Sequence, residues 1–340
     1  MGEQTELRWA VLGTGVIANE MAQALRAHGR GLYAVGNRTR EKAERFGARY
    51  GVPVVYPDYR HMFSDPAVDV IYLTTPHNTH MGFLEEALSH GKHVLCEKSI
   101  TLNTEELNRA MALASEHRAV LAEAMTIYHM PLYRELRRRL DAGEFGRLNL
   151  LQLSFGSWKE YDMGNRFFSL SLAGGALLDI GVYALSLARL FLDSCPDQHK
   201  SLVRFAPSGA DETSGILLTN REGQLVTITL SLHSKQPKRA VLSCERCFIE
   251  VMEYPRADEA VITWTDTGEQ ERVRAGSRAD ALWYELEDME RAVRGEPEAM
   301  RLPLTADVMA LMTALRREWG LRYPEEIQPA EDRFHNSRPQ

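Results

Sequence analysis

A chain of 340 residues with 44% hydrophobic and 26% charged side chains is long enough for two cores and has a globular composition. Its net charge of −7, from 40 basic and 47 acidic residues, argues against a nucleic-acid partner. No apolar run approaches bilayer-spanning length, the polar start Met1 to Arg8 has no signal-peptide core, and four cysteines are no disulfide framework at this length, so a cytoplasmic protein without a membrane partner is expected.

In chain order, the first third alternates strands and helices. Trp9 to Leu12 reads as a strand, Ala18 to His28 as a helix, Leu32 to Val35 as a strand and Arg40 to Tyr50 as a helix. Val68 to Leu73 and His93 to Cys96 are further strands, separated by a helix over His80 to His90. Thr104 with Glu105 and Glu106 opens a helix to His117, and Val120 to Ala122 resumes the strand pattern. This alternation predicts a doubly wound parallel sheet, a Rossmann domain over 1–126.

After residue 126 the pattern changes. Pro131 to Leu140 is helical, and its Arg137, Arg138 and Arg139 read as a solvated face among acidic neighbours. From Leu148 the period is two, with Leu151, Leu153 and Phe155 on one face, and Val226, Ile228, Leu230 and Leu232 repeat it later. These read as antiparallel strands with one buried face. Helices follow at Ala281 to Arg294 and Thr305 to Trp319, giving an α+β domain over 127–330 with a large, open, mostly antiparallel sheet. Residues 331–340 read as a polar tail. Cys244 and Cys247 lack the second ligand pair of a structural zinc site and read as a strand-connecting turn.

Three segments carry chemistry. Gly13-Thr14-Gly15-Val16-Ile17-Ala18, between the first strand and helix, is the G-x-G-x-x-A dinucleotide turn: Gly13 permits the tight bend, Gly15 admits a pyrophosphate and Ala18 lets helix and strand pack. The second strand ends in Asn37-Arg38-Thr39 without a carboxylate for ribose hydroxyls, and Arg38, with Thr39 and Lys42 nearby, suits a 2′-phosphate, so NADP is expected with NAD possible. Thr74 to His80 and Cys96 to Ser99 follow two further strands, on the ligand-binding side of such sheets. Gly174 to Tyr183 forms the third segment; on a helix, Asp179 and Tyr183 share a face. Between it and the preceding strand, Trp158, Lys159, Tyr161, Asn165 and Arg166 are candidates to line a substrate pocket, an aromatic covering a sugar face and Arg or Asn bonding its hydroxyls. His80 and His129 are isolated, and no cluster has metal spacing.

In that order, G-T-G-V-I-A, T-P-H-N-T-H, C-E-K-S and G-G-A-L-L-D-I-G-V-Y resemble the glucose-fructose oxidoreductase / inositol dehydrogenase / rhizopine-catabolism (Gfo/Idh/MocA) family over almost the whole chain. The resemblance implies a Rossmann domain, then a domain with a large open sheet through which dimers or tetramers form. It places the Glu-Lys motif on Glu97 and Lys98, the motif aspartate on Asp179 and the acid/base position on Tyr183. Cofactor contacts would come from Gly13, Thr14, Gly15, Val16, Ile17, Asn37, Arg38, Thr39, Thr75, Pro76, Asn78, His80, Glu97 and Lys98.

Two departures from the pattern bear on function. Ser99 stands where many members have proline, and a cis bond before a non-proline residue costs about 3–4 kcal/mol, so a trans peptide is expected. Tyr183 stands where inositol-type members have histidine, which resembles the glucose-fructose oxidoreductase and dihydrodiol/xylose dehydrogenase branch and points to aldoses or vicinal diols. A tyrosine, with an ordinary pKa of about 10, needs a neighbouring ammonium such as Lys98 to act as a base near neutrality. The implied activity is hydride transfer between NADP and a carbinol or carbonyl carbon. The alternatives are an NAD-assisted glycoside hydrolase and a non-catalytic nicotinamide-binding regulator.

Overall fold

Short apolar strands buried on both faces are the mark of a parallel sheet, and the first half of the chain is built on them. The computed structural model describes residues 6–327; the tail expected over 331–340 lies outside them. The strands β1 (Trp9–Leu12), β2 (Ala34–Gly36), β3 (Val54–Val55), β4 (Val70–Leu73), β5 (His93–Glu97) and β6 (Leu121–Ala124) alternate with the helices α1 (Val16–Ala27), α2 (Arg40–Tyr50), α3 (His61–Ser64), α4 (His80–Ser89) and α5 (Thr104–Glu116). The strands form one parallel sheet in the order β3-β2-β1-β4-β5-β6. Every side chain of β1 and β4 is buried. The short β3 and α3 escaped the sequence reading, because two to four residues carry no measurable period.

The chain continues with α6 (Pro131–Asp141), β7 (Leu148–Gly156), a π-helical turn over Leu177–Gly181 that runs into α7 (Val182–Phe191), and seven further strands. These are β8 (Gln198–Phe205), β9 (Asp211–Thr219), β10 (Leu225–Ser231), β11 (Gln236–Cys244), β12 (Cys247–Met252), β13 (Glu259–Trp264) and β14 (Gln270–Arg274). Then come α8 (Ala281–Val293), α9 (Leu302–Glu318) and α10 (Pro324–Ile327). The eight strands form one sheet in the order β14-β13-β12-β11-β7-β10-β9-β8. The expected inward residues are buried: Leu151, Leu153 and Phe155 on β7, and Val226, Ile228 and Leu230 on β10. The sheet is mixed, however, because β7 and β10, both expected to be antiparallel, lie side by side in parallel register, Leu150 against Leu225. A period of two reports one-sided burial and says nothing of strand direction; the helix and two strands between them supply the crossover that a parallel pair needs. Cys244 and Cys247 close β11 and open β12.

Two compact units result. The first takes the chain up to Thr101, Glu105–Ala124 and Leu282–Leu302; the second takes Leu102–Thr104, Met125–Ala281 and the chain from Pro303 onward. The division differs from a single cut at 126, because α8 completes the first unit's core. Its apolar stripe of Leu282, Leu286, Met289 and Ala292 is buried in one cluster with Trp9, Leu25 and Val35. Glu290 accepts hydrogen bonds from the Trp9 indole (3.0 Å) and from Arg30 (2.7 Å), and Trp283 stacks on His28 with centroids 4.0 Å apart. Residues Leu170–Phe191 are long and apolar enough to cross a bilayer, against expectation, yet 78% of their apolar 18-residue window is buried inside the protein.

Candidate active site

At the end of β1 the chain turns sharply. Gly13 takes φ +108°, its N–H donates to the Gly36 carbonyl at 2.9 Å, and a Cβ there would collide with the Thr74 hydroxyl. Only glycine accepts both the angle and the contact. At Gly15 the situation reverses: a Cβ would meet nothing within 4 Å, so open space faces the start of α1. Val16 is 79% exposed there, while Ala18 is fully buried against the sheet. Unpaired N–H groups at a helix start, open space before them and a glycine that lets backbone approach are what a pyrophosphate requires. The residues present therefore fit a dinucleotide.

The neighbouring strand ends complete this half. Thr14 donates to Asn37 Oδ1 at 3.4 Å, and Asn37 Nδ2 donates to the Thr39 carbonyl at 3.0 Å, which orders the turn after β2. Arg38, Thr39 and Lys42 are exposed, with no carboxylate at the strand end. After β4, Thr79 donates to Thr75 Oγ1 at 2.8 Å, and Pro76 and Asn78 lie in the same turn. His80 is fully buried and ties this turn to the one after β5: Nε2 lies 2.8 Å from the Thr75 carbonyl, and Nδ1 lies 3.0 Å from that of Ser99. Burial pushes its pKa below the usual histidine value, against the carbonyls, which favour the proton. His80 thus holds the two loops together.

Glu97 accepts a hydrogen bond from the Tyr72 hydroxyl, and the Lys98 N–H donates back to Glu97 at 3.3 Å. The Lys98–Ser99 peptide is cis, a correction to the trans expectation. Its surroundings account for this: His77 Nε2 lies 2.8 Å from the Lys98 carbonyl, His80 Nδ1 holds the Ser99 carbonyl, and the Ile100 N–H donates to buried Glu123 at 3.0 Å. Partners on three successive residues define the loop without a proline. Glu123 and Tyr72 were missed by the sequence reading, since a carboxylate or a phenol inside a strand signals nothing until its partner is known.

In the second unit, Asp179 sits buried in the π-turn and Tyr183, half-buried, lies in the first turn of α7. The expected α-helix is widened by one residue per turn here, an irregularity frequent at functional sites. Arg166 lies 3.5 Å from Asp179. The Tyr183 ring lies 6.1 Å from that of Phe155, and buried Tyr254 meets Phe155 edge-on at 6.1 Å. Burial, and then the neighbouring Tyr183, push the Tyr254 phenol above the ordinary tyrosine range.

Trp158 and Tyr161 are brought together around His233, which the sequence did not single out: their rings lie 6.2 Å and 4.3 Å from its imidazole. Tyr161 donates to Glu212 at 2.7 Å. Lys159 and Arg166 flank Phe167, with their cationic groups 4.3 Å and 4.2 Å from its ring centre. Asn165 accepts the Phe167 and Phe168 N–H groups at 2.9 Å and 3.2 Å, so it shapes the loop. His129 is buried. Among the described residues, no group of three His, Cys, Asp or Glu side chains is placed to hold a metal ion.

Comparison with known proteins gives concordant matches. Residues 7–125 match the model of an oxidoreductase family with an NAD-binding Rossmann fold, GFO/IDH/MocA, and residues 133–250 match the C-terminal domain model of the same family. Trans-1,2-dihydrobenzene-1,2-diol dehydrogenase of Mus musculus is 29% identical over 75% of this chain and 78% of its own length. The Xenopus laevis protein of that name is 26% identical over 93% and 99%. The structure of a 3-ketoreductase from Actinomadura kijaniata in complex with NADP superposes with a TM-score of 0.78 at 25% identity, covering 92% of this chain and 97% of that one.

Proposed function

Since the chain belongs to the Gfo/Idh/MocA family of oxidoreductases, we propose that it is an NADP-dependent dehydrogenase or reductase acting on a carbinol or carbonyl carbon of a sugar or vicinal diol. The observation that carries the reading is the pair of glycines after β1, one closed against Thr74 and the other facing open space before a helix start. Arg38, exposed at the end of a β2 that lacks a carboxylate, is assigned to the 2′-phosphate, with Thr39 beside it. The relatives named for diol dehydrogenation and the ketoreductase holding NADP support the same substrate class and cofactor.

When bound, the nicotinamide supplies or accepts the hydride. The protein's own task is then to bind the substrate and to move one proton. Lys98 and Tyr183 are assigned to that proton, which leaves the hydroxyl in oxidation and returns to the carbonyl oxygen in reduction. Asp179 orients a substrate hydroxyl, and Arg166 beside it bonds the substrate. Trp158 and Tyr161 offer ring faces to the apolar side of a sugar or diol.

We place the protein in the cytoplasm, on the strength of its four free cysteines, and as a homodimer or homotetramer. The outer face of the eight-stranded sheet supports the assembly, since it exposes Leu202 (83%), Met252 (50%) and Leu217 (48%). Titration with NADPH and NADH, followed by a screen of aldoses, inositols and diols with NADP⁺, tests the function. Reduced cofactor forming with a sugar or diol, and lost in Lys98→Ala and Tyr183→Phe, is expected. Sugar release without net reduction would indicate the NAD-assisted hydrolase instead, and binding of neither cofactor would end the enzymatic reading.

A further inference from the structure

The segment that carries Asp179 and Tyr183 starts at a helix end whose N–H groups need acceptors. Its own sequence offers none: Gly174, Gly175 and Ala176 precede it. The acceptor comes from 34 residues further along the chain, where Oδ2 of Asp211, the first residue of β9, takes the Leu177 N–H at 2.6 Å. Asp211 is fully buried, and its Oδ1 has no hydrogen-bond partner among the described residues. Gly175 makes room for it, with φ +138° and a position where a Cβ would collide with Oδ1. On the same turn the Tyr323 hydroxyl donates to the Gly174 carbonyl at 3.1 Å. Arg316 of α9 faces Asp211 and is itself held by Glu326, with two bonds of 2.8 Å, and by the Leu102 carbonyl.

We propose that Asp211 is a positioning residue for the reaction: its carboxyl fixes the first turn of the segment that presents Asp179 and Tyr183. The inference rests on the roles assigned above to those two residues. A carboxylate at a helix start accepts more strongly than a neutral carboxyl, both as an anion and through the helix dipole. Burial pushes Asp211 up to about 7, against the Leu177 N–H and Arg316, which favour the anion. Burial wins, so the turn is held more firmly below neutrality, where the buried carboxyl is neutral, than above it. The groups facing Asp211 from neighbouring elements are Arg316 of α9 and Tyr323, with Glu325 and Glu326 of α10 behind them. Global stability moves the same way. A carboxyl whose folded value lies above the unfolded value of about 3.9 favours the fold most at acid pH, and that contribution is lost as pH rises through about 7.

The test is hydrogen exchange over residues 175–183 of the full chain at pH 6 and pH 8, corrected for intrinsic exchange, in wild type and Asp211→Asn. Protection in the wild type is expected to fall on the order of 10-fold between the two pH values, because opening hydrates the ionised carboxyl, and to be flat in the variant. On whichever sugar or diol turns over, Asp211→Asn is expected to lower kcat on the order of 10-fold. It should also abolish an ionisation near 7 in kcat and leave the KM for NADP(H) unchanged. Unaltered protection and an unaltered pH profile in the variant would overturn the proposal. If the wild type turns over no sugar or diol, the functional reading falls and exchange alone decides the role of Asp211. If the variant fails to fold, protection in the wild type that does not change with pH overturns it.

Discussion

The guanidinium of Arg166 lies 3.5 Å from the carboxylate of Asp179, joining an exposed loop side chain to a buried acid in the π-turn. Arg166 is 61% exposed, so the pair is worth at most about 1 kcal/mol to the fold. Arg166→Ala should leave the melting temperature nearly unchanged. The KM for the sugar or diol should rise several-fold while NADPH affinity stays constant. Steady-state kinetics beside fluorescence titration separates these quantities, and an unchanged KM would make Arg166 an ordinary loop residue.

The cofactor preference should reside in Arg38. A charge-assisted contact to a 2′-phosphate contributes roughly 1.5–3 kcal/mol, so Arg38→Ala should reduce the NADPH over NADH preference on the order of 10- to 100-fold. Titration of both nucleotides gives the ratio directly. Equal affinities in the wild type would remove Arg38 as the selector.

The two glycines after β1 should fail in different ways. Gly13→Ala meets both a φ of +108° and the Thr74 hydroxyl, and should destabilise the fold by about 1–3 kcal/mol or more. Gly15→Ala meets nothing within 4 Å and should unfold like the wild type, yet bind NADPH at least about 10-fold more weakly, because the added methyl enters the space kept for phosphate. Denaturation and titration of both variants make the comparison.

Arg316 is 2% exposed and pairs with Glu326. Burial raises the Glu326 carboxyl, but the Arg316 guanidinium, the Tyr323 N–H and Asn103 outweigh it and hold the group below the usual glutamate range. The stabilisation is present above the unfolded value of about 4.3 and is lost as pH falls through the lower folded value. Glu326→Gln should therefore destabilise by roughly 3–5 kcal/mol at pH 7, by leaving a buried charge unpaired. The gap to wild type should close in acid, as chemical denaturation from pH 7 to pH 3 would show.

The parts of the structure that were legible in advance are those whose cause is local. Trp9 to Leu12, the glycine turn and the helix over Arg40 to Tyr50 declare themselves by apolar runs, spacing and caps, and they stand where the sequence places them. The ordered motifs likewise put Lys98 after the fifth strand and Tyr183 on a helix, whereas Asp179, expected on that helix, lies in the π-turn before it. What stayed hidden depends on partners far along the chain. Asp211 and Leu177 are 34 residues apart, Tyr72 and Glu97 are 25 apart, and Trp9 and Glu290 are 281 apart. His233 joins Trp158 and Tyr161 only through the order of strands in a sheet, which a period of two does not encode. The cis peptide at Lys98–Ser99 is of the same kind, set by His77, His80 and Glu123 rather than by the residue that follows it.

The place of α8 in the first unit has a consequence for synthesis. A ribosome that has released Ala124 still has to make 178 residues before Leu302 emerges, which at about 5–20 residues per second takes roughly 9–36 s. During that interval Trp9, Leu25 and Val35 lack the stripe of Leu282, Leu286 and Met289 that closes over them. The nascent nucleotide-binding unit thus waits with an open apolar surface, which makes it a client for chaperones. A premature stop anywhere before α8 would leave that surface exposed for good, however intact the glycine turn ahead of it.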